Sequence, residues 1–133
     1  MRKLTTLAAA AALLATGAAA PSAAAAKPEA KYDAHQCFYT RNVTSFAAPD
    51  EKTLYVRVGV RDVYRFDMFG TCPDIDWNQS LALVSRASSW ICSGMDADVV
   101  THRTGLGAQR CPVSNVRKLT PEEVAALPRR AKP

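Results

Sequence analysis

Two Asp-x-Asp pairs carry the side chains of this sequence that could do acid–base or metal chemistry. One pair is Asp74 and Asp76, and the other is Asp96 and Asp98. Such pairs offer oxygen ligands to calcium, and beside His102 they would offer a general acid and base. The glycine and later glutamate of a calcium loop are absent, and aspartates are common where strands end and turns begin. We therefore predict no catalytic residues, with a small envelope hydrolase using Asp74, Asp76 and His102 as the alternative.

Four cysteines form the second group with reactive side chains, namely Cys37, Cys72, Cys92 and Cys111. Zinc ligands are usually paired at short spacing, whereas the gaps here are 34, 19 and 18 residues. No metal and no other cofactor is therefore predicted. An even number of cysteines in an exported chain favours two disulfides. Three pairings exist, and we favour Cys72–Cys92 with Cys37–Cys111 because the second bridge would tie the first strand to the last.

Residues 1–26 have the three parts of a secretory signal peptide, namely a basic head, an apolar run and a tract of small residues. Cleavage is expected after Ala26 or after Ala20. A membrane span needs about 20 predominantly apolar residues, which this run does not reach, so no membrane anchor is expected after cleavage. The alanine-rich composition is typical of a bacterial signal, and the predicted location is the periplasm or the medium.

The charge pattern argues against nucleic-acid binding. Loss of Arg2 and Lys3 with the signal peptide lowers the net charge from +5 to +3. The remaining basic residues are scattered among carboxylates, whereas a nucleic-acid footprint requires clustering on one face.

The chain between residues 54 and 68 has the clearest periodicity. Apolar residues alternate with polar ones on both sides of Asp62, as in a strand with one buried face. We predict a hairpin that turns at Asp62. Its strands pair Val60 with Tyr64, Val58 with Phe66 and Val56 with Met68. Each pair is then apolar on the same face.

The rest of the chain fits one small domain. Residues 27–36 are predicted as a flexible leader, 37–128 as a single β-rich domain and 129–133 as a basic tail. Thr120, Pro121 and Glu123 carry the cap, first-turn proline and reciprocal glutamate of a short helix. The predicted fold is mainly β, a small disulfide-stapled antiparallel barrel or sandwich of about six to seven short strands with a short C-terminal helix.

The polar face of the hairpin is the predicted binding face. Arg57, Arg61 and Arg65 recur along it beside Tyr55. Arginine and aromatic side chains are common anchors of interfaces, so the predicted function is non-catalytic binding of an envelope glycan or protein. A purely structural role in the envelope is a further alternative. Aromatic residues that could join such a face are Tyr39, Trp77 and Trp90.

Three motifs surround the cysteines in a fixed order. They are Cys-Pro-Asp-Ile-Asp-Trp at 72–77, Ile-Cys-Ser-Gly at 91–94 and Arg-Cys-Pro-Val at 110–113. With them, the chain from about Cys37 to Pro128 resembles a family of small exported proteobacterial proteins classed as a domain of unknown function. The resemblance implies an envelope or secreted location and a disulfide framework. It implies no particular activity, ligand or catalytic residue.

Overall fold

The computed structural model describes residues 33–86, 88–94 and 97–133, so the predicted signal peptide and its cleavage sites lie outside the described residues. Among the described residues no helix has the length and apolar character needed to cross a bilayer. The strands are β1 (Asp33–Tyr39), β2 (Val43–Asp50), β3 (Thr53–Val58), β4 (Asp62–Met68), β5 (Ala82–Ser85), β6 (Trp90–Ser93), β7 (Ala97–Arg103) and β8 (Gly107–Lys118), and the helix is α1 (Pro121–Ala126).

Six strands form a curled, antiparallel half-barrel in the order β2-β3-β4-β8-β7-β5, and β1 and β6 form a separate two-stranded sheet. The mainly β prediction with one short C-terminal helix is confirmed. The structure describes eight strands rather than six or seven. One reason is a 3-10 turn at Thr40–Asn42, which separates β1 from β2. β1 also begins at Asp33, inside the segment predicted to be a flexible leader.

The predicted hairpin is formed by β3 and β4, but its turn is centred on Val60 instead of Asp62. Val56 therefore faces Tyr64, and Leu54 faces Phe66. Gly59 permits the turn at this position because it adopts a φ of 60°, which residues with a Cβ rarely adopt. The register differs from the prediction by an even number of residues, so the apolar row still shares one face.

The main core lies between the inner face of the half-barrel and the two-stranded sheet. Phe38 of β1 contacts the rings of Tyr64 and Phe66, with centroid distances of 4.5 and 6.3 Å. Ile91 of β6 is buried in the same core. The other buried members of this core are Leu54, Val56, Val58, Met68, Cys72, Ile75, Ala97, Val99, Cys111, Val113 and Val116.

A second, smaller cluster covers the outer face of the hairpin. Tyr55 and Val63 are buried there against Leu119 and Ala131, and Val124 of α1 packs beside them. The predicted capping box is confirmed, because the Thr120 hydroxyl accepts from the Glu123 backbone N–H and the Glu123 carboxylate accepts from that of Thr120. A helix this short needs packing to be stable, and this cluster supplies it.

Residues 129–133 are not a free basic tail. Arg129–Ala131 form a 3-10 turn, and Ala131 is only 1% exposed. Arg57 donates two hydrogen bonds to the main-chain oxygen of Pro133, at 2.9 Å from Nε and 2.6 Å from an Nη. The folded unit thus extends beyond the predicted limits of 37–128 in both directions.

The disulfides join Cys37 to Cys92 and Cys72 to Cys111, so the favoured pairing of Cys72 with Cys92 and Cys37 with Cys111 is wrong. The reason is strand order. β1 pairs with β6, which places Cys37 directly opposite Cys92. Cys72 follows β4, the neighbour of β8, and the adjacent loop is held to β8 by a hydrogen bond from the Phe69 N–H to the Pro112 carbonyl at 2.9 Å.

Candidate functional site

Asp74, the first member of the alternative hydrolase set, stabilises a loop through hydrogen bonds. It has a φ of 63°, a left-handed conformation that aspartate tolerates better than most residues. Its carboxylate accepts a hydrogen bond from the Thr104 N–H at 2.9 Å. The Asn78 side-chain amide donates to the Asp74 carbonyl at 2.7 Å and to the His102 carbonyl at 2.7 Å. These contacts fit the predicted turn role.

Asp76 and His102 do not meet in one pocket. Asp76 lines an open pocket of about 750 Å³ beside Glu51 and Met68, and neither Asp74 nor His102 contributes to its wall. The His102 side chain is exposed on β7. Among the described residues, no group of three or more histidine, cysteine, aspartate or glutamate side chains is arranged to hold a metal ion.

The second Asp-x-Asp pair is described only in part, because Asp96 lies outside the described residues. Asp98 is buried on β7, where its two carboxylate oxygens contact Arg86 at 3.4 Å and Arg110 at 3.2 Å. A buried carboxylate needs such partners, because an unpaired charge is costly in a poorly solvated site. Asp98 therefore has a structural role as the ion-pair partner of Arg86 and Arg110.

Most of the predicted binding face makes contacts within the chain. Tyr55 is buried in the outer cluster, and Arg57 is bonded to Pro133. Arg65 forms an ion pair with Asp67 at 2.8 Å. Arg61 alone of the four is exposed.

Arg61 belongs instead to a surface at the turn end of the hairpin, which we call the aromatic–arginine surface and define by Tyr39, Arg41, Arg61 and Trp90. Tyr39 and Trp90 are directly opposite each other at the end of the β1–β6 sheet, with ring centroids 5.5 Å apart. The Arg41 guanidinium carbon lies 6.0 Å from the Tyr39 ring centroid. Trp90 is 52% exposed and Arg41 is exposed, with the partly exposed Tyr39 in contact with both.

The two arginines of this surface line one shallow pocket of about 620 Å³. Its wall is fixed by hydrogen bonds from the Gly59 N–H to the Asn42 carbonyl at 2.8 Å and from the Thr44 hydroxyl to the Gly59 carbonyl at 3.0 Å. The 3-10 turn after β1 therefore positions Arg41, and the β3–β4 turn positions Arg61. The remaining wall residues are Val58, Val60 and Asp62.

The electrostatics of the pocket favour anions. Asp62, its acidic wall residue, forms an ion pair with Lys118 at 2.9 Å. That hydrogen bond raises the pKa of the Lys118 ammonium, so Lys118 stays charged beside Asp62 at neutral pH. Neither Arg41 nor Arg61 has an ion-pair partner within the part of the chain that the structure describes. A guanidinium without a partner can bind a carboxylate or phosphate through two parallel hydrogen bonds.

The comparison with known families gives one result. The model of a family of unknown function, DUF6491, matches residues 1–132. The chain belongs to the DUF6491 family. No curated protein and no solved structure matches this DUF6491 chain. The resemblance inferred from the cysteine motifs is thus confirmed as membership of a family of unknown function, and the family brings no activity or ligand to this DUF6491 chain.

Sequence reasoning found Arg61 and named Tyr39 and Trp90, but it missed Arg41. The missing information was the pairing of β1 with β6, which brings Trp90 to Tyr39 across a long stretch of sequence. Arg41 itself gave no local signal, because β1 ends at Tyr39 and Arg41 lies in the 3-10 turn that follows.

Proposed function

We propose that this protein is exported from a bacterial cell and works as a non-catalytic module that binds an anionic glycan of the cell envelope. The aromatic–arginine surface is the binding site. The observation that carries the proposal is the arrangement in one pocket of two guanidiniums that have no ion-pair partner among the described residues, continued by the Tyr39–Trp90 ring pair, of which Trp90 is exposed.

Export is supported by two independent features. The N-terminal sequence has the parts of a signal peptide, and the described domain holds two disulfides. Disulfides persist in oxidising compartments and are rare in a bacterial cytoplasm. Periplasm or medium is therefore the compartment in which we expect the ligand.

An anionic glycan fits the chemistry of the surface in both of its parts. Aromatic rings present a broad apolar face with a polar edge, which suits the apolar faces of sugar rings. Arg41 and Arg61 would bind carboxylate or phosphate groups on the sugars. A shallow, open pocket admits a segment of a long polymer, because the chain can enter and leave at both sides.

The first experiment measures binding of the purified protein to envelope polysaccharide that carries carboxylate or phosphate groups, with the same polysaccharide neutralised by reduction or dephosphorylation as a reference. We expect binding to the anionic form only. The double variant R41Q/R61Q should lose at least about tenfold in affinity because two charge-assisted contacts are removed. Trp90→Ala should weaken binding through lost stacking.

Matched controls lie elsewhere on the surface. Arg103→Gln removes an exposed arginine, and Trp77→Ala removes an exposed tryptophan. Neither residue lines the pocket of Arg41 and Arg61. Equal losses in these controls, or no retention of any anionic glycan, would overturn the binding proposal. Shortening of the glycan that is abolished by His102→Ala would instead identify the hydrolase alternative.

Export is tested separately by sequencing the N-terminus of the protein recovered from each cell fraction. We expect a mature chain that begins at Lys27 or Pro21 in the periplasm or medium. An uncleaved chain confined to the cytoplasm would contradict this part of the proposal.

A further inference from the structure

The disulfide between Cys37 and Cys92 lies beside the ring pair of the aromatic–arginine surface. Cys37 is directly opposite Cys92 in the register of β1 and β6. Two positions further along β1, Tyr39 is directly opposite Trp90. Residues two apart on a strand lie on the same face, and so do directly opposed residues of an antiparallel pair. The disulfide is therefore the immediate neighbour of both rings.

The face that the disulfide and the rings share points away from the main core. Phe38 and Ile91, the opposed residues between them, are buried in that core. Because successive side chains of a strand alternate between its two faces, the disulfide lies on the outer face of the β1–β6 sheet.

The two disulfides differ in their access to solvent. Cys37 is partly exposed, whereas Cys72 is 0% exposed and is buried with Cys111 in the main core. Thiol–disulfide exchange begins when a thiolate reaches one of the two sulfur atoms, so access decides which bridge reacts first. Cys92 is itself buried, and Cys37 is therefore the sulfur that a thiolate from outside would attack.

The separation of the strands at each disulfide selects the same bridge. The Cα atoms of Cys72 and Cys111 are 5.7 Å apart, inside the usual range of about 4.4–6.8 Å for a disulfide. Those of Cys37 and Cys92 are 3.9 Å apart, because the two residues are directly opposed in a ladder. Disulfides outside the usual range are more readily reduced.

Opening this bridge would loosen the outer face of the β1–β6 sheet without unfolding the domain. Phe38 and Ile91 would still hold the two strands on the main core. At the ring end, the hydrogen bond from the Thr40 N–H to the Ser89 carbonyl at 3.0 Å would remain. Backbone hydrogen bonds alone make a two-stranded ribbon only marginally stable, so the spacing of the ring pair depends on the disulfide.

We propose that the Cys37–Cys92 disulfide is the target of a protein dithiol, and that its reduction weakens ligand binding at the aromatic–arginine surface. The closed bridge holds Tyr39 and Trp90 at a fixed spacing, whereas a loosened pair must be ordered when a sugar ring binds. The effect on the glycan rests on the proposed function. The order in which the two disulfides are reduced does not.

The dithiol supplies both electrons of the reduction. Its first thiolate attacks the Cys37 Sγ, which forms a mixed disulfide and breaks the bond to Cys92, and Cys92 leaves as a thiolate that takes up a proton. The second thiol of the partner loses its proton and attacks the partner's own sulfur in the mixed disulfide. Cys37 then leaves and is protonated, and the partner is oxidised to a disulfide.

The first test measures the order of reduction in the protein as it accumulates in the cell. The protein is treated with graded dithiothreitol, and its thiols are alkylated and identified by mass spectrometry. We expect Cys37 and Cys92 to be alkylated at least about tenfold faster than Cys72 and Cys111, because a buried disulfide waits for local opening. Equal rates for the two bridges, or faster reduction of Cys72–Cys111, would overturn the proposal.

A trapping experiment identifies the sulfur that is attacked. Thioredoxin whose second cysteine is replaced by serine cannot resolve a mixed disulfide, so it stays attached to its target. We expect the attachment at Cys37, with Cys92 as a thiol. Attachment at Cys72 or Cys111, or no attachment, would contradict a dithiol partner for this bridge.

Fluorescence then follows the ring pair, because Trp77 and Trp90 are the only two tryptophans of the chain. In a Trp77→Phe variant, selective reduction should shift the Trp90 emission to longer wavelength as the ring loses its contact with Tyr39. Circular dichroism should keep its folded signal. An unchanged Trp90 emission would show that the disulfide does not control the ring pair.

Glycan binding closes the test. The reduced protein should bind the anionic polysaccharide about fivefold more weakly than the oxidised protein, because two side chains must be ordered on binding. The C37A/C92A variant should bind like the reduced protein, and dithiothreitol should not weaken it further. Absence of binding by the oxidised protein would overturn the proposed function, whereas equal binding by the oxidised and reduced forms would overturn this inference.

Discussion

The two faces of the β3–β4 hairpin are both covered, but by covers of different kinds. The inner face packs against the two-stranded sheet in the main core, where Phe38 of β1 and Ile91 of β6 are buried. The outer face packs against a short C-terminal segment, which we define as residues 119–133. That segment buries two hairpin side chains, Tyr55 and Val63.

The inner-face contacts hold the half-barrel together, whereas the outer-face contacts cover the hairpin surface. The inner face joins strands distant in sequence, so its loss would dismantle the half-barrel. The outer cover is one turn-rich segment held by a few apolar contacts and by the hydrogen bonds that Arg57 donates to Pro133. We therefore expect substitutions on the inner face to lower the unfolding free energy more than substitutions on the outer face.

The largest effect is expected from Phe66→Ala on the inner face. Phe66 is fully buried, and removing a buried aromatic ring from a core costs about 3–5 kcal/mol of unfolding free energy. Denaturant unfolding monitored by circular dichroism gives the value. The control is Phe69→Ala, because Phe69 is 79% exposed and its loss should change stability by less than about 0.5 kcal/mol.

Tyr55→Ala tests the outer face of the same hairpin. Its ring is buried under a thin cover, so we expect a loss of about 2 kcal/mol, smaller than that of Phe66→Ala. The same unfolding measurement applies. A loss as large as that of Phe66→Ala would mean that the outer cluster is part of the main core.

Arg57→Ala tests how firmly residues 129–133 are held. Two hydrogen bonds from a charged donor at a partly exposed site should contribute about 1–2 kcal/mol in total. Arg61→Ala on the same hairpin should stay within about 0.5 kcal/mol of the parent protein, since Arg61 is exposed. Protection of the Ala131 amide from hydrogen exchange should fall in the first variant only.

The smallest effect concerns pH and Glu123. The hydrogen bonds from Arg117 and from the Thr120 N–H hold the pKa of Glu123 below its usual value near 4.5. A carboxyl whose pKa is lowered by folding stabilises the protein fully above the unfolded value, and this contribution is lost as pH falls through the lower folded value. Glu123 is well exposed, so solvent screening keeps the contribution below about 1 kcal/mol.

Comparison with Glu123→Gln isolates that contribution. The parent protein should be more stable than the variant at about pH 7, and the difference should be smaller at about pH 3, because the parent carboxyl gains protons as the pH falls toward its lowered folded pKa. Unfolding of both proteins at the two pH values is the measurement. An unchanged difference would show that the Arg117–Glu123 pair adds nothing through its charge.

Local features of the fold could be predicted from the sequence. The alternation from Leu54 to Met68 indicates the buried inner face, although not the cover on the outer face. The capping residues around Thr120 specify a helix within a few positions. These patterns depend on neighbours in the chain. The hairpin and α1 were therefore confirmed, although the turn position was wrong because Gly59 was not recognised as its first residue.

Long-range features could not be predicted, because they depend on strand pairing. Cys37 meets Cys92 only through the β1–β6 pair, at a sequence separation of 55 residues. The partner of Arg57 lies 76 residues away, so an apparently free arginine was assigned to a binding face. The aromatic–arginine surface arises in the same way, because only the β1–β6 pair brings Trp90 to Tyr39.

The two disulfides also connect the N-terminal and C-terminal halves of the molecule, which supply equal numbers of strands to the fold. Residues up to Gln79 supply β1 to β4, and later residues supply β5 to β8, so each half gives three strands to the half-barrel and one to the smaller sheet. Both disulfides join the first half to the second. A protease cut at the exposed Gln79–Ser80 bond would therefore yield two fragments that remain one covalent molecule until reduced. Two bands should appear only on the reducing gel.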